Sequence, residues 1–163
     1  MNSTLSLSIA ALLTLASASA HAQQNPVNTG SLAVPANRVV GMWSNASAVG
    51  PCGGPAVMQG HNTVTFSPGG TLVDVPRAPA GIALQRSIGL GTWAYDPLRG
   101  NYTQRVRFDW FLNGVYDGYQ TIDRTFLVSN DSNQLSGPVR AIRYNADGSM
   151  RMQMCGSAVS TRL

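Results

Sequence analysis

From Gly91 to Cys155 the chain reads GTWAYDPLRGNYTQRVRFDWFLNGVYDGYQTIDRTFLVSNDSNQLSGPVRAIRYNADGSMRMQMC. Turn signals cut this stretch into extended runs. Asp96-Pro97-Leu98-Arg99-Gly100 separates Trp93–Tyr95 from Tyr102–Leu112, and Asn113-Gly114 ends that second run. Asn130-Asp131-Ser132-Asn133 follows Tyr119–Val128, and Asn145-Ala146-Asp147-Gly148 stands between Gln134–Tyr144 and Ser149–Met154. Pro presets φ, Gly admits positive φ, and Asn or Asp bonds its own backbone, so each cluster reverses the chain for a stated reason. Extended runs joined by such short turns form an antiparallel meander.

The alternation within the runs agrees. Tyr102, Val106, Phe108, Trp110 and Leu112 share one face, with Thr103, Arg105, Arg107 and Asp109 on the other. Ile122, Phe126 and Val128 alternate with Thr121, Asp123 and Thr125, while Arg124 breaks the rule by falling on the apolar face. Met150, Met152 and Met154 share a face, and Gly156–Leu163 can add a last strand. This is the period-two pattern of a sheet with one wet side.

Upstream, a first strand begins near Arg38, with Val39, Gly41 and Trp43 on one face. A Gly-, Ala- and Pro-rich loop is expected over Asn45–Gly60. Asn62–Phe66 and Thr71–Val75 flank Ser67-Pro68-Gly69-Gly70 as a hairpin. Pro76–Ile88 is irregular, a crossing loop or a lid, with room for one helical turn in Ala80–Arg86. The expected fold class is all-β: a single antiparallel up-and-down β-barrel of about eight strands, since closure removes exposed edges. An open sandwich is the alternative.

Residues 1–22 carry the apolar run Leu5–Leu15 and end in Ala20-His21-Ala22, a small-x-small cleavage signature. We expect a signal peptide over 1–22, a flexible leader over 23–37 and the barrel over 38–163, hence a periplasmic or secreted protein with no integral membrane segment after cleavage. The apolar run is too short to span a bilayer. Cys52 and Cys155 are the two cysteines, and an even count in an exported chain points to a disulfide. All 11 basic residues are Arg and all 7 acidic residues are Asp, giving a net charge of +4. The arginines form no run, so a nucleic-acid partner is not expected.

Gly41-Met42-Trp43 on the first strand, repeated as Gly91-Thr92-Trp93, resembles the Gly-x-Trp of the lipocalin and calycin barrels. The whole mature chain resembles small exported bacterial proteins of that appearance, with one Cys after the first strand and one before the C-terminus. The resemblance implies that Trp43 packs across the closed end of the barrel under an Arg from a late strand. Arg124, Arg140 and Arg143 are the candidates, and Gly41, Trp43 and Arg124 form the expected plug.

No catalytic constellation emerges. After cleavage His61 is the single histidine, no Gly-x-Ser-x-Gly elbow or phosphate loop occurs, and no ligand cluster suits a metal. Asp109 and Asp123 are better explained by ion pairs to Arg105 or Arg107 than by acid–base work. We therefore expect no enzyme, cofactor or metal site. The expected function is binding of a small apolar or amphipathic ligand inside the barrel. Trp93, Phe108, Trp110, Phe126, Met150 and Met152 are the expected lining, with Arg124 a possible anchor for an anionic head group. The alternative is a filled barrel acting through its surface and loops. About 300 Å³ of open interior would favour the binder.

Overall fold

The computed structural model describes residues 35–77 and 82–163; the expected signal peptide, the leader up to residue 34 and residues 78–81 lie outside them. Among the described residues a short 3-10 helix, Pro35–Val39, precedes nine strands. These are β1 (Gly41–Pro51), β2 (Met58–Ser67), β3 (Thr71–Pro76), β4 (Leu84–Arg86), β5 (Gly89–Asp96), β6 (Asn101–Leu112), β7 (Val115–Val128), β8 (Gln134–Tyr144) and β9 (Met150–Arg162). Eight of them pair in the ring β1-β2-β3-β5-β6-β7-β8-β9 and back to β1. The expected antiparallel barrel is thus closed, with β1 and β9 forming the seam. The extra strand is β4, which pairs Leu84–Arg86 with the end of β6.

Several boundaries differ from the sequence reading. β1 runs on to Pro51 and β2 starts at Met58, so the expected Asn45–Gly60 loop shrinks to 52–57. Leu84–Arg86 is strand rather than part of a helical turn. β9 is continuous through Gly156 instead of two pieces. The last residues of the expected leader, Pro35–Asn37, belong to the 3-10 helix, where Ala36 and Asn37 are buried.

The closed end is an aromatic layer. Trp43, Phe66, Trp93, Tyr102 and Phe126 are all buried, with Leu72, Leu135 and Val39 filling between them. Phe66 meets the edge of Trp93 at 6.2 Å between centroids, and Tyr102 stacks on Phe126 at 5.4 Å. Trp93, the second Gly-x-Trp tryptophan, donates through Nε1 to the carbonyls of Ser67 and Thr71, both at 3.0 Å, and so clamps the β2–β3 hairpin. Its Gly91 is needed for strand contact: a Cβ there would lie 2.1 Å from the Arg105 carbonyl oxygen.

Tyr102 donates its hydroxyl to the Pro35 carbonyl, tying the 3-10 helix to the barrel. Burial, with Tyr95 adding and Arg38 opposing, pushes the phenol up to about 12 from 10.0. Because the folded value is the higher one, this stabilising contribution is complete below pH 10 and is lost between pH 10 and about 12. Arg124, held down to about 10 by burial, acts in the opposite sense over the same range. A melting curve would therefore mix the two, and the check is the ultraviolet titration. We expect a tyrosinate step near pH 12 that Tyr102→Phe removes; a step near pH 12 surviving in the variant, which keeps four of the five tyrosines, would refute the assignment.

Candidate functional site

The plug at the closed end follows the expected Gly41–Trp43 pattern but not the expected arginine. Arg162, near the end of β9, stacks its guanidinium 4.2 Å above the Trp43 ring. It also donates to the carbonyls of Arg38 at 2.6 Å, Val40 at 3.0 Å and Ser132 at 2.7 Å. Gly41 makes this possible: its φ is +132°, and a Cβ would sit 2.8 Å from an Arg162 terminal nitrogen. Gly41→Ala is expected to cost about 1–3 kcal/mol through backbone strain and collision, read as a shift in the urea midpoint. An unchanged midpoint would remove Gly41 from the plug.

The three arginines proposed from the sequence lie elsewhere. Arg140 is on the outer face near Asp123. Arg143 reaches the open end, 4.6 Å above Trp110 and 2.5 Å from Asp117. Arg124 lies inside the barrel, 4.9 Å over Phe126 on the inner side of the aromatic layer.

Above that layer the barrel encloses a cavity of about 210 Å³. Its floor and walls are polar on one side: Asn45, Asn62, Asp74, Gln104 and Arg124 all line it. All of these but Gln104 belong to one hydrogen-bonded chain. Arg124 donates to Asn45 Oδ1 at 3.3 Å and to Ser160 Oγ at 3.0 Å, and to the carbonyls of Ala158 at 2.8 Å and Leu135 at 3.3 Å. Asn45 Nδ2 donates to Asn62 Oδ1 at 2.7 Å, and Asn62 Nδ2 donates to Asp74 Oδ1 at 2.6 Å. Arg86 closes the chain with a two-pronged grip on Asp74, at 3.0 and 3.1 Å. The other side of the cavity is apolar, with Phe108, Trp110, Ile122 and Met154.

Arg86 is brought in by β4, within the stretch expected to be irregular or to hold a helical turn, and lies 4.3 Å over the Phe108 ring. Gly89 leaves the space beside it: a Cβ there would lie 2.7 Å from Val106 and 3.1 Å from Asp74. Asp74→Asn keeps the shape and removes the charge, stranding the part-buried Arg86 guanidinium. Breaking a buried pair in this way costs about 3–5 kcal/mol, which denaturant unfolding would measure; a loss under about 1 kcal/mol would show the pair to be solvent-screened.

Of the expected lining residues, Phe108 and Trp110 face the cavity. Trp93 and Phe126 belong instead to the packed closed end, 3% and 1% exposed. Met150 and Met152 are a correction: they are 63% and 44% exposed at the open rim, and only Met154 of that stripe reaches the cavity. The register irregularity between Arg143 and Tyr144 marks where β9 leaves the regular ladder, and the rim methionines have no packed layer above them. The β6–β7 register shift between Asp109 and Phe111 has a similar effect, leaving Leu112 exposed.

A larger open depression, about 710 Å³, crosses the outer face of β5–β8. Two of its arginines share one carboxylate: Arg105 reaches Asp123 at 2.7 Å and Arg140 reaches it at 3.6 Å. Asp109 is likewise near Arg107, at 3.9 Å. His61 is exposed on β2 at the cavity mouth. Cys52 and Cys155 are joined in a disulfide at the β1–β9 seam. Among the described residues no cluster of His, Cys, Asp or Glu could hold a metal ion, and no helix is long and apolar enough to cross a membrane.

Two atoms of the cavity wall have no hydrogen-bond partner among the described residues: Arg124 Nε and Gln104 Oε1. They belong to directly paired residues of β6 and β7. Arg124 stands out in the sequence as a charge on an apolar face, but Gln104 does not, because an inward Gln between Tyr102 and Val106 reads as a lapse in alternation rather than a feature. No protein-family model, no curated protein and no solved structure matches the chain.

Proposed function

We propose that this is an exported, lipocalin-like binding barrel that takes one small amphipathic ligand in its interior. The observation that carries the reading is the cavity wall: apolar rings on one side, and on the other a hydrogen-bonded polar chain beside Gln104, with Arg124 Nε and Gln104 Oε1 both unsatisfied. Buried polar atoms are nearly always satisfied in proteins, and exceptions concentrate at functional positions. At about 210 Å³ the cavity falls short of the ~300 Å³ expected to favour a binder, so volume alone sides with the filled barrel and the reading rests on the chemistry of the wall. The ligand is therefore small, and the mixed wall favours an amphipathic molecule over a purely apolar one. Export is supported by the signal-peptide-like start of the sequence and by the disulfide, a bond that persists in oxidising compartments.

Native mass spectrometry of the protein purified from its own host tests this. A co-purifying small molecule, released on unfolding, is the expected result. A bare chain, at the mass of the disulfide-bonded protein and unchanged after incubation with extract of the host, would favour a filled barrel acting through its surface.

A further inference from the structure

We infer that the interior site takes a small organic carboxylate, its anionic end against Arg124 and Gln104 and its apolar body towards Phe108 and Trp110. The inference rests on the reading of the barrel as a ligand binder and adds the charge and orientation of the ligand.

Charge balance inside the barrel sets the sign of the ligand. Among the described residues Asp74 is the only buried carboxylate, and it is held by both prongs of Arg86. Arg143 has Asp117 at 2.5 Å, which it shares with the exposed Arg151 at 3.1 Å. Arg124, 3% exposed, has no carboxylate at all: its four acceptors are an amide oxygen, a hydroxyl and two backbone carbonyls. The interior thus carries one uncompensated positive charge. Burial lowers the Arg124 pKa only to about 10, so it remains a cation at neutral pH. A lone buried charge is strongly unfavourable, and a monoanion in contact with it restores neutrality.

The free donor and acceptor narrow the chemistry. Arg124 Nε–H needs an acceptor and Gln104 Oε1 needs a donor, and the two residues are cross-strand partners on the inner face. A carboxylate bearing a neighbouring hydroxyl answers both. A phosphate is the poorer match, since a second negative charge would exceed the single unbalanced positive one and one spare N–H cannot satisfy its oxygens. Phe108 and Trp110 offer the apolar surface that distinguishes an organic acid from an inorganic anion, and Arg86 and Arg143, stacked over those rings, hold them in place.

Mandelate and its neutral amide are suitable probes: same ring, same hydroxyl, different charge. They are titrated into the isotope-labelled, disulfide-bonded protein at constant ionic strength. The Arg124 Nε–H and Trp110 indole signals are followed by NMR. We expect mandelate to move both signals saturably and mandelamide to bind at least about tenfold more weakly, about 1.4 kcal/mol. Arg124→Met should abolish the preference, and the wild-type comparison decides the matter even if that variant misfolds. Equal binding of acid and amide would overturn the carboxylate inference and leave the binding barrel standing. Mandelate shifts confined to the outer-face arginines Arg105 and Arg140 would overturn the interior placement. Silence of both interior signals to both probes would overturn the carboxylate inference, and only an empty protein in the mass measurement would then overturn the binder as well.

Discussion

Trp43→Ala is expected to destabilise the barrel by about 3–5 kcal/mol, the range for removing a fully buried tryptophan. The residue is 0% exposed and stands at the centre of the closed end. Its loss opens a cavity that the neighbours cannot collapse into, because Phe66, Leu72 and Leu135 are fixed on separate strands of a closed ring. It also removes the Nε1 bond to the Val39 carbonyl at 2.8 Å, which fastens the 3-10 helix, and the ring under Arg162. Trp43→Phe retains most of the apolar volume and should cost less, about 1–3 kcal/mol for the unsatisfied carbonyl and the smaller ring. Guanidinium unfolding of the two variants gives the comparison. A Trp43→Ala loss below about 2 kcal/mol would mean the closed end is not the keystone of the barrel. Because the cavity lies on the other side of the aromatic layer, the surviving folded fraction should keep its interior contacts.

Arg162 matters to this argument, and its absence from the sequence-based plug has a physical cause. Gly156 looks like a strand breaker. In fact it permits close approach of two strands, since a Cβ there would lie 2.0 Å from the Ala48 carbonyl oxygen. With Ser149–Met154 and Gly156–Leu163 expected as separate strands, nothing in the sequence sets Arg162 over Trp43. β1 was cut short for a related reason. Asn45 faces the interior, so hydrophobic periodicity stops while the strand continues. The turns and the meander from β5 to β8 were legible because Pro, Gly, Asn and Asp act locally. The Asp74–Arg86 pair was not, because it joins β3 to a three-residue strand whose only support is pairing with β6. The anomaly that did show in sequence was Arg124 on an apolar face. Its partners come from β1, β8 and β9, which periodicity within β7 cannot identify.

Replacing both cysteines with alanine is expected to cost about 2–5 kcal/mol, and chiefly through the unfolded chain. The bond joins residues 103 apart, and the chain-entropy model assigns a loop of that size about 4.7 kcal/mol, an upper figure in practice. In the folded barrel the bridge adds little that the ladder does not already provide. Gly50 pairs directly with Cys155 and Pro51 with Met154, so the seam is hydrogen-bonded up to the bridge. The double variant should therefore fold to the same closed ring, with its cavity intact, but with a lower urea midpoint. Refolding should show the larger kinetic effect. Closing the seam requires the first and last strands to meet, which is the longest loop closure in the fold, and the disulfide holds those ends together beforehand. Equilibrium and stopped-flow unfolding of the oxidised protein and of Cys52→Ala/Cys155→Ala separate the two contributions. A lower refolding rate with a nearly unchanged unfolding rate is the expected outcome. A faster unfolding rate with unchanged refolding would place the stabilisation in the native seam instead, and the β1–β9 ladder would then be insufficient to hold the barrel closed.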